Sequence, residues 1–593
     1  MIFKKTFVFS LLVGVLAKIG FSQDNSITFQ VDDVPEASMD VLGIRGSVAP
    51  LSWEKTLFLD NAKITLDFLA DVKTVEYKYV WDRDGDIAWE GIDNRTLTFP
   101  LGESTITDIW NKEKPVDIIS LDAISSENLM KDYALLEEMV LQVHPGTYRY
   151  ASKEDIKAEL QALKAKFKKS RSIGGAYLAM SKVTAVIQCD HTKVGFNNQG
   201  RIVNSIIHEQ EDKLPFTFKW FDDRMIVGLN ASSKNLLKRG TEVMKINGIP
   251  VSKIKSELMS YVAADGATDK NRIAKLEVDG FDFRYNAFDV FFPLKFRLKN
   301  NQFNILLKHD EKEYKVDVPG MHREQRAKIL AERYPEFPYH RDDTWVFEIK
   351  DGVGVLTLNS FGLSGWKAMT IDYKEFLATA FVNLKKRNIR KLIIDIRKNA
   401  GGLDEMKNEL FSYLPFDREK VELFPREGRT RFLLFPEILK PHIKTWGENP
   451  WFYNLKNPDA RDGVYYVFEE KRENRIPKPA KEAVFEGEVL LLTAPTNTSL
   501  AFYTARDFKQ FAIGKIVGEE TGGNQREING GQIVFLTLPN SGIEIDFPVM
   551  GAFAKKEMPN SGVVPDYLVK TTASDFASDK DAQMQKAMEL LND

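Results

Sequence analysis

Polar and apolar residues alternate between about residue 28 and residue 115, in stretches such as LGIRGSVAPLSWEKTLFLDN and VEYKYVWDRDGDIAWEGIDNRTLTFP. Alternation with a period of two is the pattern of strands with one face buried, and the DRDGD at 82–86 reads as a hairpin turn between two of them. From about residue 126 the period lengthens: apolar residues recur at helical spacing up to VIQCDHTKVGF, with Ser152 set to cap one segment and Glu154 and Asp155 in its first turn. Between 206 and about 320 β-runs return, hinged on Asn247-Gly248, a type I′ hairpin signal, and an amphipathic helix follows them. The last third changes again. GVGVLTLNSF (353–361) reads as a strand, TIDYKEFLATAFVNLKKRNI (370–389) as a helix and RKLIIDIRKNAGG (390–402) as a continuous apolar strand opening into a glycine turn. EGEVLLLTAPTNTS (486–499) repeats the device, with a helix predicted from Ser499 to about Gln510. Such strand–helix–strand units are right-handed crossovers in a parallel sheet buried on both faces.

These patterns predict a multidomain protein. It comprises an all-β sandwich over 28–115, a helical domain over 120–205, an α+β domain over 206–325, an α/β core with parallel strands over 340–575, and a closing helix over 576–593. The length of 593 residues and a hydrophobic content of 43% are enough to fill several cores. Lys plus Arg (82) nearly balance Asp plus Glu (85), so no basic surface points to nucleic acid or anionic lipid. At the N-terminus, Lys4 and Lys5 precede an apolar run that Lys18 interrupts, with Gly20 and Ser22 placed for cleavage. This reads as a signal peptide over 1–22, hence a secreted or periplasmic protein with no membrane span after cleavage. Cys189 is the only cysteine, so no internal disulfide forms.

Candidate chemistry lies at the carboxyl ends of the predicted parallel strands, where open α/β sheets bind ligands. Gly401 and Gly402 let backbone N–H groups approach a substrate oxygen, and the N–H of Leu500 points from a helix N-terminus, so the three can form an oxyanion hole. Ser499 taken alone is a helix cap, and His191 taken alone a histidine satisfying carbonyls at a helix end. The seven histidines show no metal-ligand spacing, no phosphate loop or dinucleotide fingerprint is present, and no cofactor is expected.

Five motifs in order change that reading: DHT at 190–192, LIIDIRKNAGG at 392–402, TAPTNTSLAF at 493–502, VGEETGGN at 517–524 and SGVVPDYLV at 561–569. Together they resemble the secreted serine peptidases that include the C-terminal-processing proteases and the tricorn core. The resemblance implies Ser499 as nucleophile. The processing branch carries a lysine base after VGE, but this chain reads TGGNQ there, so the tricorn-like branch applies, with His191 as base and Glu557 orienting it. Asp190, which stands where the tricorn core has a serine, is the alternative orienting acid. The 206–325 region resembles a PDZ-like domain. The order LSWEKT, VEYKYV, IAWEGIDNRTLTFP resembles a starch-binding carbohydrate-binding module, which implies Trp53 and Trp89 as stacking platforms with Lys78 and Asn94 beside them. The expected function is a secreted serine peptidase acting on peptide or protein, held to α-glucan or another polysaccharide by its first module; the alternative is an inactive peptidase fold that binds glycan.

Overall fold

The computed structural model describes residues 25–592 except 33, 35, 70–71, 73, 84, 99–103, 111–123, 281–285, 335–344, 363–371, 446–459, 462–463, 469–474 and 481–482. The predicted signal peptide lies outside the described residues. The chain forms two compact units, Met1–Val116 and Asp117–Asp593.

In the first unit two sheets enclose one core. A three-stranded sheet joins Asn25–Asp32 to Lys63–Phe68 and Ser104–Ile109, and a five-stranded sheet is centred on Thr74–Arg83. The residues that alternate inward, Ile27, Phe29, Phe68, Val75, Tyr77 and Tyr79, form that core. The buried Tyr77 and Tyr79 hydroxyls both donate to Asp108, which Arg95 also faces, so no phenol is left unsatisfied.

The second unit contains the predicted helical, α+β and α/β regions, so the boundaries expected at 205 and between 325 and 340 fall inside one compact body. Helix α1 (Ile173–Val186) is capped by Ser172 and buries most of its length. A six-stranded antiparallel sheet, ordered Phe216–Phe221, Arg224–Asn230, Glu242–Ile246, Gln302–His309 and Lys312–Pro319 with Ile249–Pro250 pairing the third, follows it. Asn247 and Gly248 take φ of 51° and 80°, the left-handed pair that a type I′ turn requires. Helix α2 (Asp269–Lys275) belongs to this region. One hydrophobic core runs through the helices around α1 and this sheet as far as Val534, Phe547 and Val549, which explains why the predicted domains do not separate.

The last region is built on a six-stranded sheet. Its strands β1 (Val353–Leu358), β2 (Lys391–Asp395), β3 (Glu488–Thr493) and β4 (Lys515–Gly518) pair in parallel, as the crossover pattern predicts. Trp345–Lys350 adds an antiparallel edge. Helix α3 (Tyr373–Lys386), capped by Asp372, crosses from β1 to β2; α4 (Asp404–Ser412) follows β2, and α5 (Ser499–Gln510) crosses from β3 to β4. A second, antiparallel sheet contains Gly531–Thr537, Glu544–Ala554 and Arg426–Thr430. Its long strand also pairs Ile545 and Asp546 with Val194 and Lys193, which pins the turn carrying His191 to the α/β region.

Candidate functional site

Three turns converge on Ser499. The first opens α5. Ser499 has φ of 48°, left-handed for a residue with a side chain, while the residue at the N-cap position is Thr498, whose side chain makes no capping bond. A serine that only capped a helix would sit in extended backbone and accept an N–H from the first turn. Ser499 does neither, and its hydroxyl faces His191: Oγ lies 3.2 Å from Nε2, between residues 308 apart in sequence. Backbone strain of this kind at a strand-to-helix turn lifts a side chain out of the sheet's end.

The second turn follows β2. Gly401 and Gly402 have φ of 121° and 145°. A Cβ on Gly401 would come 2.7 Å from Ser499 Cβ and 2.9 Å from Leu500 N; one on Gly402 would come 1.8 Å from Phe361 O. Of the two, only Gly402 keeps a free N–H: Gly401 N–H donates to Asn399 Oδ1 at 2.8 Å, so its expected part in an oxyanion hole is replaced by a structural one. The Gly402 N–H makes no hydrogen bond among the described residues, and the Leu500 N–H belongs to a first helical turn, which has no intrahelical acceptor.

The third turn carries His191 beyond α1. Gln188 takes φ of 56°, and its carbonyl accepts from Gly266 N–H at 3.0 Å. Burial lowers the His191 pKa to about 4, against the opposing pull of Asp190, so the imidazole is neutral near pH 7. Asp190, the alternative orienting acid, is turned away: its carboxylate pairs with Lys275 on α2, and its own N–H donates to Asp265 Oδ1 at 3.0 Å. Although burial opposes ionisation, Lys275 and then Lys193 hold the Asp190 carboxyl far below its ordinary value. Glu557 is exposed. His191 Nδ1 is buried with no hydrogen-bond partner, so Glu557 is not bonded to it, in contrast to the expectation.

Two groups that sequence reasoning missed complete the surroundings. Asp265 is 1% exposed, and its Oδ2 has no partner. Cys189, His191 and Asp265 each offer a donor atom within 4.8 Å of the other two, the one such group among the described residues. Burial pushes the Cys189 thiol up to about 12, and the thiol donates weakly to Asn529 O. The other is Glu527, fully buried at φ of 74°, whose carboxylate is held by Tyr503 and Arg506 of α5. Its carbonyl accepts from Arg149 at 2.6 Å and Tyr150 at 2.8 Å. Glu527 fixes the segment that lays Gly530 against the His191 ring, where a Cβ would come 3.0 Å from Cε1. The signal available in sequence was the spacing of Tyr503 and Arg506, four and seven residues after Ser499 on one helix face.

In the first unit, Trp53 and Trp89 meet with ring centroids 6.1 Å apart at 53°, and Trp89 is 43% exposed. Arg45 lies over Trp89 at 5.6 Å and donates to Trp53 O at 2.9 Å, a buttress that the sequence pattern did not reveal. Lys78 is half-buried opposite Arg45 in the sheet, and Asn94 is exposed, its amide 3.4 Å from Glu76.

Residues 352–569 match the model of peptidase family S41. No curated protein matches the chain in sequence. Among solved structures, mature CPAF is similar at 16% identity with a TM-score of 0.54, covering 78% of this chain and 96% of that one. The complex of mature CPAF with lactacystin gives 15%, 0.53, 78% and 97%. The tricorn protease gives 15% identity and a TM-score of 0.31, over 88% of this chain and 40% of that one. At these identities the CPAF likeness is one of fold.

Proposed function

We propose that the chain is a serine peptidase, a reading supported by the match of residues 352–569 to peptidase family S41, that its activity is carried by Ser499 with His191 as its base, and that it cleaves peptide or protein chains outside the cytoplasm. The observation that carries this reading is the left-handed Ser499, its hydroxyl 3.2 Å from the Nε2 of a neutral, buried-sided imidazole. Oγ attacks the substrate carbonyl carbon while its proton passes to Nε2. The carbonyl oxygen takes the charge and is held by the N–H groups of Gly402 and Leu500, neither of which has an acceptor among the described residues. Nε2 then gives the proton to the leaving amine, the C–N bond breaks and an acyl-serine remains. Water attacks the acyl carbon, its proton passes through Nε2 back to Oγ, and the acid product leaves.

Ser499→Ala and His191→Ala should each remove activity on a peptide library to the same residual level. The double variant should cost little more, because groups acting as a unit are not additive. Full turnover in folded His191→Ala protein would contradict the assignment.

A second reading concerns the first unit and rests on the Trp53–Trp89 pair. Indole rings, here with Trp89 exposed, suit the C–H faces of sugar rings. Lys78 and Asn94 supply polar groups on the same unit. We propose that this unit tethers the peptidase to α-glucan, a reading tested below.

A further inference from the structure

The base needs a partner that none of the expected residues provides. A neutral histidine acts as base through Nε2 only when its proton sits on Nδ1, and a buried Nδ1–H without an acceptor is costly. Asp190 is bound to Lys275, and Glu557 is exposed and unbonded to His191. Glu527 is tied to Tyr503 and Arg506. One buried carboxylate oxygen next to His191 is unpartnered: Oδ2 of Asp265. We propose that Asp265 is the positioning residue of this site, accepting the His191 Nδ1–H so that Nε2 faces Ser499 as an acceptor.

The two unpartnered atoms explain each other. His191 Nδ1 is an orphan donor and Asp265 Oδ2 an orphan acceptor, in side chains whose donor atoms approach within 4.8 Å. They make no direct hydrogen bond, and one bridging water spans a gap of this size. Catalytic hydrogen bonds are commonly long without substrate. The rest of Asp265 is fixed. Its Oδ1 accepts Asp190 N–H at 3.0 Å, its carbonyl accepts from Asn524, and Gly266 at φ of 59° bonds back to Gln188. Asp265 is therefore locked to the same turn that carries His191, and its loop, from the α+β region, completes a site whose nucleophile comes from the α/β region.

The electrostatics agree with the geometry. Burial, then the neighbouring Asp190 charge, raises the Asp265 carboxyl to about 7, with Lys275 and Arg149 opposing. Around it stand Asp190, Lys275, Arg149, Tyr150, Cys189 and His191, with Lys193 bonded to the Asp190 carbonyl. His191 is already neutral above about 4, so the acid limb of kcat/KM belongs to Asp265: activity rises as it ionises near pH 7.

This inference rests on the peptidase reading above and is tested by a substitution that preserves structure. In Asp265→Asn the amide oxygen still accepts Asp190 N–H, while the NH2 group cannot accept Nδ1–H and favours the wrong tautomer. kcat should fall by roughly 10³–10⁴ with KM little changed. The limb near pH 7 should vanish. A fall of less than about tenfold, or a large fall with that limb unmoved, overturns the proposal. A second measurement needs neither folding of that variant nor activity. In Ser499→Ala protein, 15N-labelled at histidine, the proposal predicts His191 with its proton on Nδ1 in a strongly deshielded hydrogen bond. A proton on Nε2 overturns it. Should the wild type hydrolyse no peptide yet show this tautomer, the peptidase reading fails and the orientation by Asp265 stands.

Discussion

At the scale of single residues, the site depends on backbone conformations that side chains ordinarily avoid. Ser499, Gly401, Gly402 and Glu527 all have positive φ. Gly402 is the most constrained, since a Cβ would overlap Phe361 O at 1.8 Å. Gly402→Ala must therefore shift the very N–H proposed to stabilise the oxyanion. It should lower kcat by about 10²-fold or more, as removal of one such donor does elsewhere. Retained kcat in steady-state kinetics would place the oxyanion donors elsewhere. The structure brings Ser499, His191 and the glycine turn together, and each stands in a motif that the sequence shows. Neither expected acid is hydrogen-bonded to His191 Nδ1. Asp190 and Glu557 were named from their place beside motifs, whereas a carboxylate's role is set by what surrounds it. Asp190 meets Lys275 from a helix 85 residues away, and no local pattern announces that encounter. Asp265 is hidden for the same reason.

At the scale of elements, the periodicities were legible and the joins between them were not. The β1–α3–β2 crossover, the turn at Asn247-Gly248 and the helix opening at Ser499 follow from apolar spacing and turn chemistry. The buried Lys407–Asp507 pair, 2.8 Å long, joins α4 to α5 and so ties the helix after the glycine turn to the helix of the nucleophile. Burial alone would raise the Asp507 carboxyl, but Lys407 and Arg506 hold it down to about 2. The pair's contribution is present above the ordinary carboxyl value of 3.8 and is lost as pH falls through about 2. Lys407→Met leaves Asp507 buried without its main partner and should cost about 3–5 kcal/mol. Lys407→Met with Asp507→Leu should recover most of that. Urea unfolding followed by circular dichroism at pH 7 reads both; an unchanged midpoint in the single variant would show that the pair is not coupled to folding.

At the scale of the whole molecule, the two units have separate cores, and the proposed chemistry lies entirely in the second. No helix among the described residues is long and apolar enough to cross a membrane. Separate cores predict separable effects, because distant substitutions without shared partners add. Trp53→Ala and Trp89→Ala should each weaken retention on a starch column by about 1 kcal/mol, a several-fold loss, while kcat on peptide stays within error. Equal retention of wild type and the double variant would leave the unit as a spacer. The domain boundaries inside the second unit were the least legible feature, since the sequence pattern marks changes of period but not that one core runs across them.

Covalent labelling separates Ser499 as a nucleophile activated by His191 from Ser499 as a helix cap. Wild-type protein is treated with a fluorophosphonate probe at pH 8, digested and mapped by mass spectrometry beside His191→Ala and Ser499→Ala proteins. One adduct is expected, on Ser499, formed orders of magnitude more slowly in His191→Ala and absent in Ser499→Ala. An adduct on another residue, or labelling of Ser499 at an unchanged rate without His191, would contradict it.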